Sequence, residues 1–186
     1  MKVKGLLVAA AAAMLCFGAQ NASAIEAPNH EGDFSLNAHV GFLPGVGANI
    51  SGDYVLVNSW WKGHFTIGGF LGFNRDDDEY HYADWKYERV YSNFSIMARA
   101  TYGLNITDKF EVHAGAATGP CFRSWKYEWH GHDHSWYTDD KDKETVLDWA
   151  GIAGCRFFVT DNLALSAELN YSAYMSYLNL GVSFKF

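Results

Sequence analysis

From Asp33 to the end of the chain one theme recurs: segments of about ten residues in which apolar side chains alternate with small or polar ones. A period of two is that of a β-strand whose two faces meet unlike surroundings. In the first segment Phe34, Leu36, Ala38, Val40 and Phe42 point one way, and Ser35, Asn37, His39 and Gly41 the other. The pattern returns over residues 48–57, 64–73, 93–104, 110–121, 147–159, 163–174 and 177–186, with Phe70 an exception. Eight is an even number, as closure of an antiparallel meander requires. The expected fold is all-β, an eight-stranded antiparallel up-and-down barrel.

Alternation does not say which face is inside. The polar rows are mostly Gly, Ser, Asn, Thr and Ala, with isolated charges at Asp53, Arg99, Glu111, Asp148, Arg156, Glu168 and Lys185. A solvated face is richer in Lys and Glu, whereas a narrow eight-strand interior needs small residues and charges of both signs. The apolar rows carry aromatics near both ends: Phe34, Phe65, Tyr102, Phe110, Phe157 and Phe184 at one, Phe42, Phe73, Trp149 and Tyr171 at the other. These read as the two interfacial girdles of a lipid-facing band, and they disfavour a soluble lipocalin-like barrel with its apolar face inside. The links agree. Residues 58–63, 105–109 and 160–162 are short, while the long links 74–92 and 122–146 fall on one side, as expected of periplasmic turns and outer loops. The outer links at 43–47 and 175–176 are brief. Both termini are then expected in the periplasm of a bacterial outer-membrane protein, with Trp60 and Trp61 at the inner interface.

The start of the chain has a basic beginning (Lys2, Lys4), an apolar stretch from Gly5 to Phe17, and Ala22-Ser23-Ala24, the small-x-small pattern of signal-peptidase cleavage. The domain plan expected is a removed signal peptide over 1–24, a periplasmic segment over 25–32 and the barrel over 33–186. Leu15 before Cys16 disfavours a lipoprotein. The formal net charge of −7 becomes −9 once Lys2 and Lys4 are removed, which speaks against a nucleic-acid partner. Mean hydropathy is −0.15, too polar for a helical membrane protein. If segments 110–121 and 147–159 pair symmetrically about the loop between them, Cys155 lies opposite about residue 112, on the order of 30 Å from Cys121. Two free thiols are expected.

With its leader, eight alternating strands, short inner turns and the terminal Gly181-Val182-Ser183-Phe184-Lys185-Phe186, the chain resembles the small outer-membrane β-barrels of the OmpX/OmpA-transmembrane kind. The resemblance covers nearly all of the mature chain. It implies that Phe186 serves as an assembly signal read by the barrel-assembly machinery, and that outer-membrane lipid and lipopolysaccharide surround the barrel. Because the chain stops at the eighth strand, the periplasmic peptidoglycan-binding domain of longer relatives is expected to be absent.

For chemistry, Arg99, Arg156 and Lys185 are expected to pair with Asp53, Glu111, Asp148 and Glu168 in one structural network that fills the lumen. His39, His64 and His113 face inward at different heights, so no three-His metal site is expected. The loop sequence Trp129-His130-Gly131-His132-Asp133-His134 hints at transient metal binding, with a solvated turn the favoured reading. Asp76-Asp77-Asp78-Glu79 lacks the calcium-loop spacing. The alternation continues through Tyr80, Tyr82, Trp85 and Tyr87, and through Trp125, Tyr127 and Trp129, so aromatic hairpins are expected to rise past the membrane and to contact an extracellular protein or host ligand. Lipid A deacylases on this scaffold resemble a His-x-Ser-Asn pattern. Val40-Gly41 follows His39 and Ala114-Gly115 follows His113, so no such pattern occurs and no catalytic residue or cofactor is expected. The function expected is a non-enzymatic surface-interaction or adhesion barrel with an envelope role. A lipid A-modifying enzyme and a small pore are the alternatives.

Overall fold

The computed structural model describes residues 29–60, 63–82, 85–130 and 141–186, and within these strands the side chains of 59–60, 78–82, 85–88, 127–130 and 141 lie outside the description. Eight strands, β1 (Phe34–Phe42), β2 (Val46–Trp60), β3 (Gly63–Tyr82), β4 (Trp85–Asn105), β5 (Phe110–His130), β6 (Lys141–Phe158), β7 (Leu163–Tyr171) and β8 (Leu178–Lys185), form a closed barrel in chain order. Every neighbouring pair is antiparallel, and β8 returns to β1 from Ser35↔Lys185 to Phe42↔Leu178. The rim that holds Phe34 and Lys185 is called the terminal rim here, and the opposite one the hairpin rim.

Alternation sorts the side chains as the two unlike faces require. Asn37, His39, Asn49, Ser51, Asp53, Thr66, Arg99, Thr101 and Glu111 are buried inside, while Leu36, Val40, Ile50, Ile67, Leu71, Ile96, Leu165 and Val182 are exposed outside. A shift of register between Val55 and Val57 sets Leu56 and Val57 both outward, a bulge in β2. The sheet also differs from the expected strand limits at the hairpin rim. β7 stops at Tyr171 rather than residue 174, because residues 172–177 turn into the mouth, and four strands run past their expected ends. β2 pairs with β3 only up to Val46↔Arg75, and β7 pairs with β6 only up to Gly151↔Tyr171. β3, β4, β5 and β6 continue together, β3–β4 to Tyr82↔Trp85, β4–β5 to Lys86↔His130, and β5–β6 to Lys126↔Lys141. A four-stranded open sheet thus projects from the barrel, its two edges formed by Asp76–Tyr82 and Lys141–Ala150.

Val112 pairs with Cys155 and Cys121 with Val146, so the thiols lie nine residues apart along β5, and both are free.

Candidate functional site

The middle of the lumen holds a ring of charged side chains. Asp53 from β2 and Arg99 from β4 meet at 3.0 Å, and Arg99 reaches across to Glu168 of β7 through two nitrogens at 3.0 and 3.4 Å. Arg156 of β6 donates to Asp53 at 3.0 Å and to Glu111 of β5 at 3.0 Å. His113 closes the circuit, its ring nitrogens 3.4 Å from Glu111 and 3.2 Å from Glu168. Three carboxylates face two guanidiniums. The surplus oxygens take neutral donors: Asn37 Nδ2 donates to Asp53 at 2.9 Å, and Asn29 Nδ2 to Glu111 at 2.5 Å. Ser51 Oγ accepts from Arg99 at 2.9 Å. Charge pairs this deep stand only when their remaining hydrogen-bonding groups are also met.

Small residues make the room. A Cβ at Gly103 would stand 2.4 Å from His64 Cε1, and one at Gly154 would stand 2.5 Å from His113 Nε2. His64, Gly103, His113 and Gly154 share one row across β3 to β6. The expectation that the lumen histidines sit at different heights is therefore corrected for two of them: His64 and His113 both approach Glu111, at 3.6 and 3.4 Å. Strand registers set this row, and the spacing within any one strand does not show them.

The single seven-member network is likewise corrected. Lys185 is the last residue of β8 and lies 3.7 Å from Asp33 at the terminal rim. Asp148 lies eight residues from Arg156 along β6, about 26 Å at ~3.3 Å per residue, and there it accepts a bond from Ser172 Oγ at 2.7 Å.

A second constellation joins β1, β2 and β7. His39 Nε2 is 3.0 Å from Ser166 Oγ, and His39 Nδ1 is 3.0 Å from Asn49 Oδ1. Hydroxyl, imidazole and amide in this order have the connectivity of a nucleophile relay. All three are buried on the lumen side. Asn49 Nδ2 is in turn spent on Asn179 Oδ1 at 2.8 Å. Enclosed in this way, the trio packs the lumen wall between β1, β2 and β7. A fluorophosphonate probe applied to the folded protein is expected to leave Ser166 unlabelled by mass spectrometry, and labelling there would restore the enzyme reading.

Both ends of the lumen are stoppered. At the terminal rim Asn29 inserts beneath Glu111 while its backbone oxygen accepts from Asn58 Nδ2 at 3.1 Å. Toward the hairpin rim Phe70, an inward aromatic of β3, packs with Met97, Ala117, Ala150, Ile152 and Met175. Met175 comes from the 172–177 turn. Asn93 Nδ2 donates to Tyr174 O at 3.3 Å, and Ser176 Oγ donates to Asn74 Oδ1 at 2.9 Å. Asn29 and Met175 were not among the sequence candidates. Phe70 was signalled by its break in alternation.

Above that plug, Arg123 lies 4.3 Å from the Tyr174 ring centroid and 5.6 Å from that of Trp125, and donates to Glu144 at 3.2 Å. Arg89 donates to Tyr91 Oη at 2.5 Å. These contacts stiffen the root of the projecting sheet. Of the expected contact aromatics, Trp125 is half-buried in this cluster. Tyr80, Tyr82, Trp85, Tyr87, Tyr127 and Trp129 stand on the projecting strands, but their side chains lie outside the described residues, as do residues 131–134 of the His-rich loop. Phe186 is exposed on the outer face, its ring 6.1 Å from Phe34 and 4.9 Å from Phe184.

A family model described as outer membrane protein beta-barrel domain matches residues 8–186. No curated protein sequence matches. Among solved structures, the chain is similar to the attachment invasion locus protein Ail of Yersinia pestis in complex with the heparin analogue sucrose octasulfate, at 16% identity, covering 84% of this chain and 100% of that one, with a TM-score of 0.53. It is also similar to the N-terminal β-barrel domain of Pseudomonas aeruginosa OprF, at 15% identity, 85% and 100% coverage and a TM-score of 0.49. Neisserial surface protein A follows at 17% identity, 83% and 94% coverage and a TM-score of 0.47. At these identities the likeness to Ail speaks for the fold alone.

Proposed function

Because the chain belongs to the outer membrane protein beta-barrel domain family, we propose that it is a closed, non-enzymatic barrel whose work is done by the four-stranded sheet projecting from its hairpin rim. The short links at the terminal rim support a periplasmic position for that rim, with the sheet outside the cell. Residues 1–24 act as the removed leader, and Phe186, just past the end of β8, is the signal read by the assembly machinery.

The observation that carries this reading is that the sheet's two edges pair with no strand among the described residues. A strand edge offers a row of backbone donors and acceptors to an added strand, and Tyr, Trp and Arg beside it are the residues that anchor interfaces. The partner favoured is a protein on another surface. A polyanion such as the sulfated ligand held by Ail fits poorly, since residues 74–92 and 123–146 together carry twelve acidic against seven basic side chains. The ring, the Phe70 cluster and the two stoppers, which fill the lumen among the described residues, favour an envelope-filling role over a pore.

Bacteria displaying the intact barrel are expected to adhere to a panel of immobilised extracellular-matrix proteins. Replacing residues 76–91 and 123–145 with two-residue turns should remove most of that adhesion while the barrel stays folded. Unchanged adhesion by the trimmed barrel would overturn the reading.

A further inference from the structure

The stopper at the terminal rim depends on one imidazole. Asn29 is buried, and its side-chain nitrogen sits between Glu111 Oε2 at 2.5 Å and His64 Nε2 at 3.4 Å. A carboxylate only accepts, so the atom against Glu111 is Nδ2, which carries two hydrogens. One goes to Glu111, and the other faces His64 Nε2. Two donors do not bond to each other, so His64 takes part as a neutral ring with its lone pair on Nε2 and its proton on Nδ1. Glu111 Oε2 also lies 3.6 Å from His64 Nε2. A proton placed on Nε2 therefore turns the ring from the partner of the Asn29 amide into its competitor for the same oxygen.

The surrounding structure lets this exchange move one short segment. After Asn29 the chain turns tightly: His30 N–H donates to Asp33 Oδ2 at 2.8 Å, Asp33 N–H donates to His30 O at 3.1 Å, and Gly32 takes a φ of +93°, which glycine adopts without strain. The base of the turn is fastened to β2, by Gly32 N–H to Val55 O at 3.0 Å and Val55 N–H to Asp33 O at 2.9 Å. Residues 29–31 thus reach into the lumen from a fixed base. Around His64, Glu111 and His113 come from β5, Arg156 from β6 and Asp53 from β2. On β4 the ring lies against Gly103, where a Cβ would stand 2.5 Å from Nε2. The two carboxylates draw a proton to the ring, and Arg156 and His113 oppose it. On the segment itself, His30 is 3.6 Å from Asp33, so a proton there tightens the turn and does not loosen it.

We propose that Asn29 and His64 form an acid-released latch on the N-terminal segment. With His64 neutral, the amide bridges His64 and Glu111 and stoppers the lumen. With Nε2 protonated, the imidazolium pairs with Glu111, which remains an acceptor beside Arg156 at 3.0 Å. A charge-assisted bond outweighs a neutral one at the same oxygen, so Asn29 loses both side-chain contacts and keeps only the bond from Asn58 Nδ2 to its backbone oxygen among those described above. Residues 29–31 then swing out about Gly32, and water reaches the charged ring from the terminal rim. The Phe70 cluster toward the other end is untouched, so release bares the ring without making a pore. The latch is independent of what the projecting sheet binds.

The test is a titration of the full chain, 15N-labelled, in phosphatidylcholine nanodiscs from about pH 8 to about pH 4, across the range in which histidines change charge. The His64 ring nitrogens and the Asn29 side-chain amide are followed together by NMR, and heat-dependent electrophoretic mobility reports that the barrel stays folded. One shared midpoint is expected. As Nε2 gains its proton, the Asn29 amide should move to the position of a solvated amide, and its hydrogen exchange, corrected for pH, should rise at least on the order of tenfold. His64→Gln keeps an acceptor toward Asn29 but takes up no proton, so there the amide should stay bound across the range. Asn29→Ala should show water at Glu111 and Arg156 already at neutral pH. An Asn29 amide that stays bound while His64 titrates, release at a different midpoint, equal release in His64→Gln, or a His64 that gains no proton before the barrel unfolds would each overturn the latch. If His64→Gln does not fold, the two wild-type midpoints decide alone.

Discussion

Arg99→Met is expected to destabilise the folded barrel by about 3–5 kcal/mol. The guanidinium touches Asp53 at 3.0 Å and grips Glu168 at 3.0 and 3.4 Å, and all three side chains are buried. Removing it leaves Asp53 with Arg156 as its remaining guanidinium, and leaves Glu168 with His113. Most of the loss therefore comes from stranding carboxylates, not from the net worth of the pair. The measurement is the urea midpoint of the detergent-folded protein, followed by heat-dependent electrophoretic mobility. If stranding is the cause, R99M/E168M should recover a large part of the loss, since an apolar pair of similar size needs no partners. A loss under about 1 kcal/mol for the single variant would mean that the lumen is wet enough to solvate carboxylates, and the pore reading would gain at the expense of the filled one.

The same ring shows which parts of the design were legible in the chain. The choice of inside and outside was, because a lipid exterior and a cramped polar interior write opposite demands on alternate residues. β1 runs from Phe34 to Phe42 as its alternation indicates, and β5 and β7 start at Phe110 and Leu163. At the hairpin rim the ends were not legible: beyond Phe73 and Cys121 both faces turn polar or aromatic, so alternation loses its contrast while the ladder continues. Register was also hidden. That Arg99, Glu168 and His113 converge depends on how far each strand is staggered against the next, and a strand's own sequence carries no record of its neighbour's stagger. For the same reason the meeting of His39 with Ser166, which are 127 residues apart, had no signature. Met175 was missed because a short loop was read as an outward turn. Its apolar side chain in a Ser-rich segment fits an inward cap better, as burial on Phe70 and Met97 shows.

Closure of the barrel demands a glycine at the seam, and Gly181→Val is expected to prevent it. Gly181 stands on β8 opposite His39 of β1 and Ser166 of β7. A Cβ there would lie 1.9 Å from the backbone oxygen of Ala38 and 2.7 Å from the Cα of His39. A clash with a flexible side chain is relieved by a rotamer change, but here the obstacle is the backbone of the closing strand, so β8 must move away from β1. The two strands exchange the ladder that joins the chain's ends, and losing it exposes two long edges at once. The cost exceeds the ~1–3 kcal/mol of ordinary overpacking, so the folded fraction should fall to a small residue of the wild type. Gly69→Val is the matching control: it is also in a strand, but a Cβ there meets nothing within 4 Å, and it faces lipid. Heat-dependent mobility and trypsin resistance should separate the two, with Gly69→Val folded and Gly181→Val degraded. Equal folding of both would mean that the seam yields by changing its tilt, and that the small residues of the inner face are there for lumen packing alone.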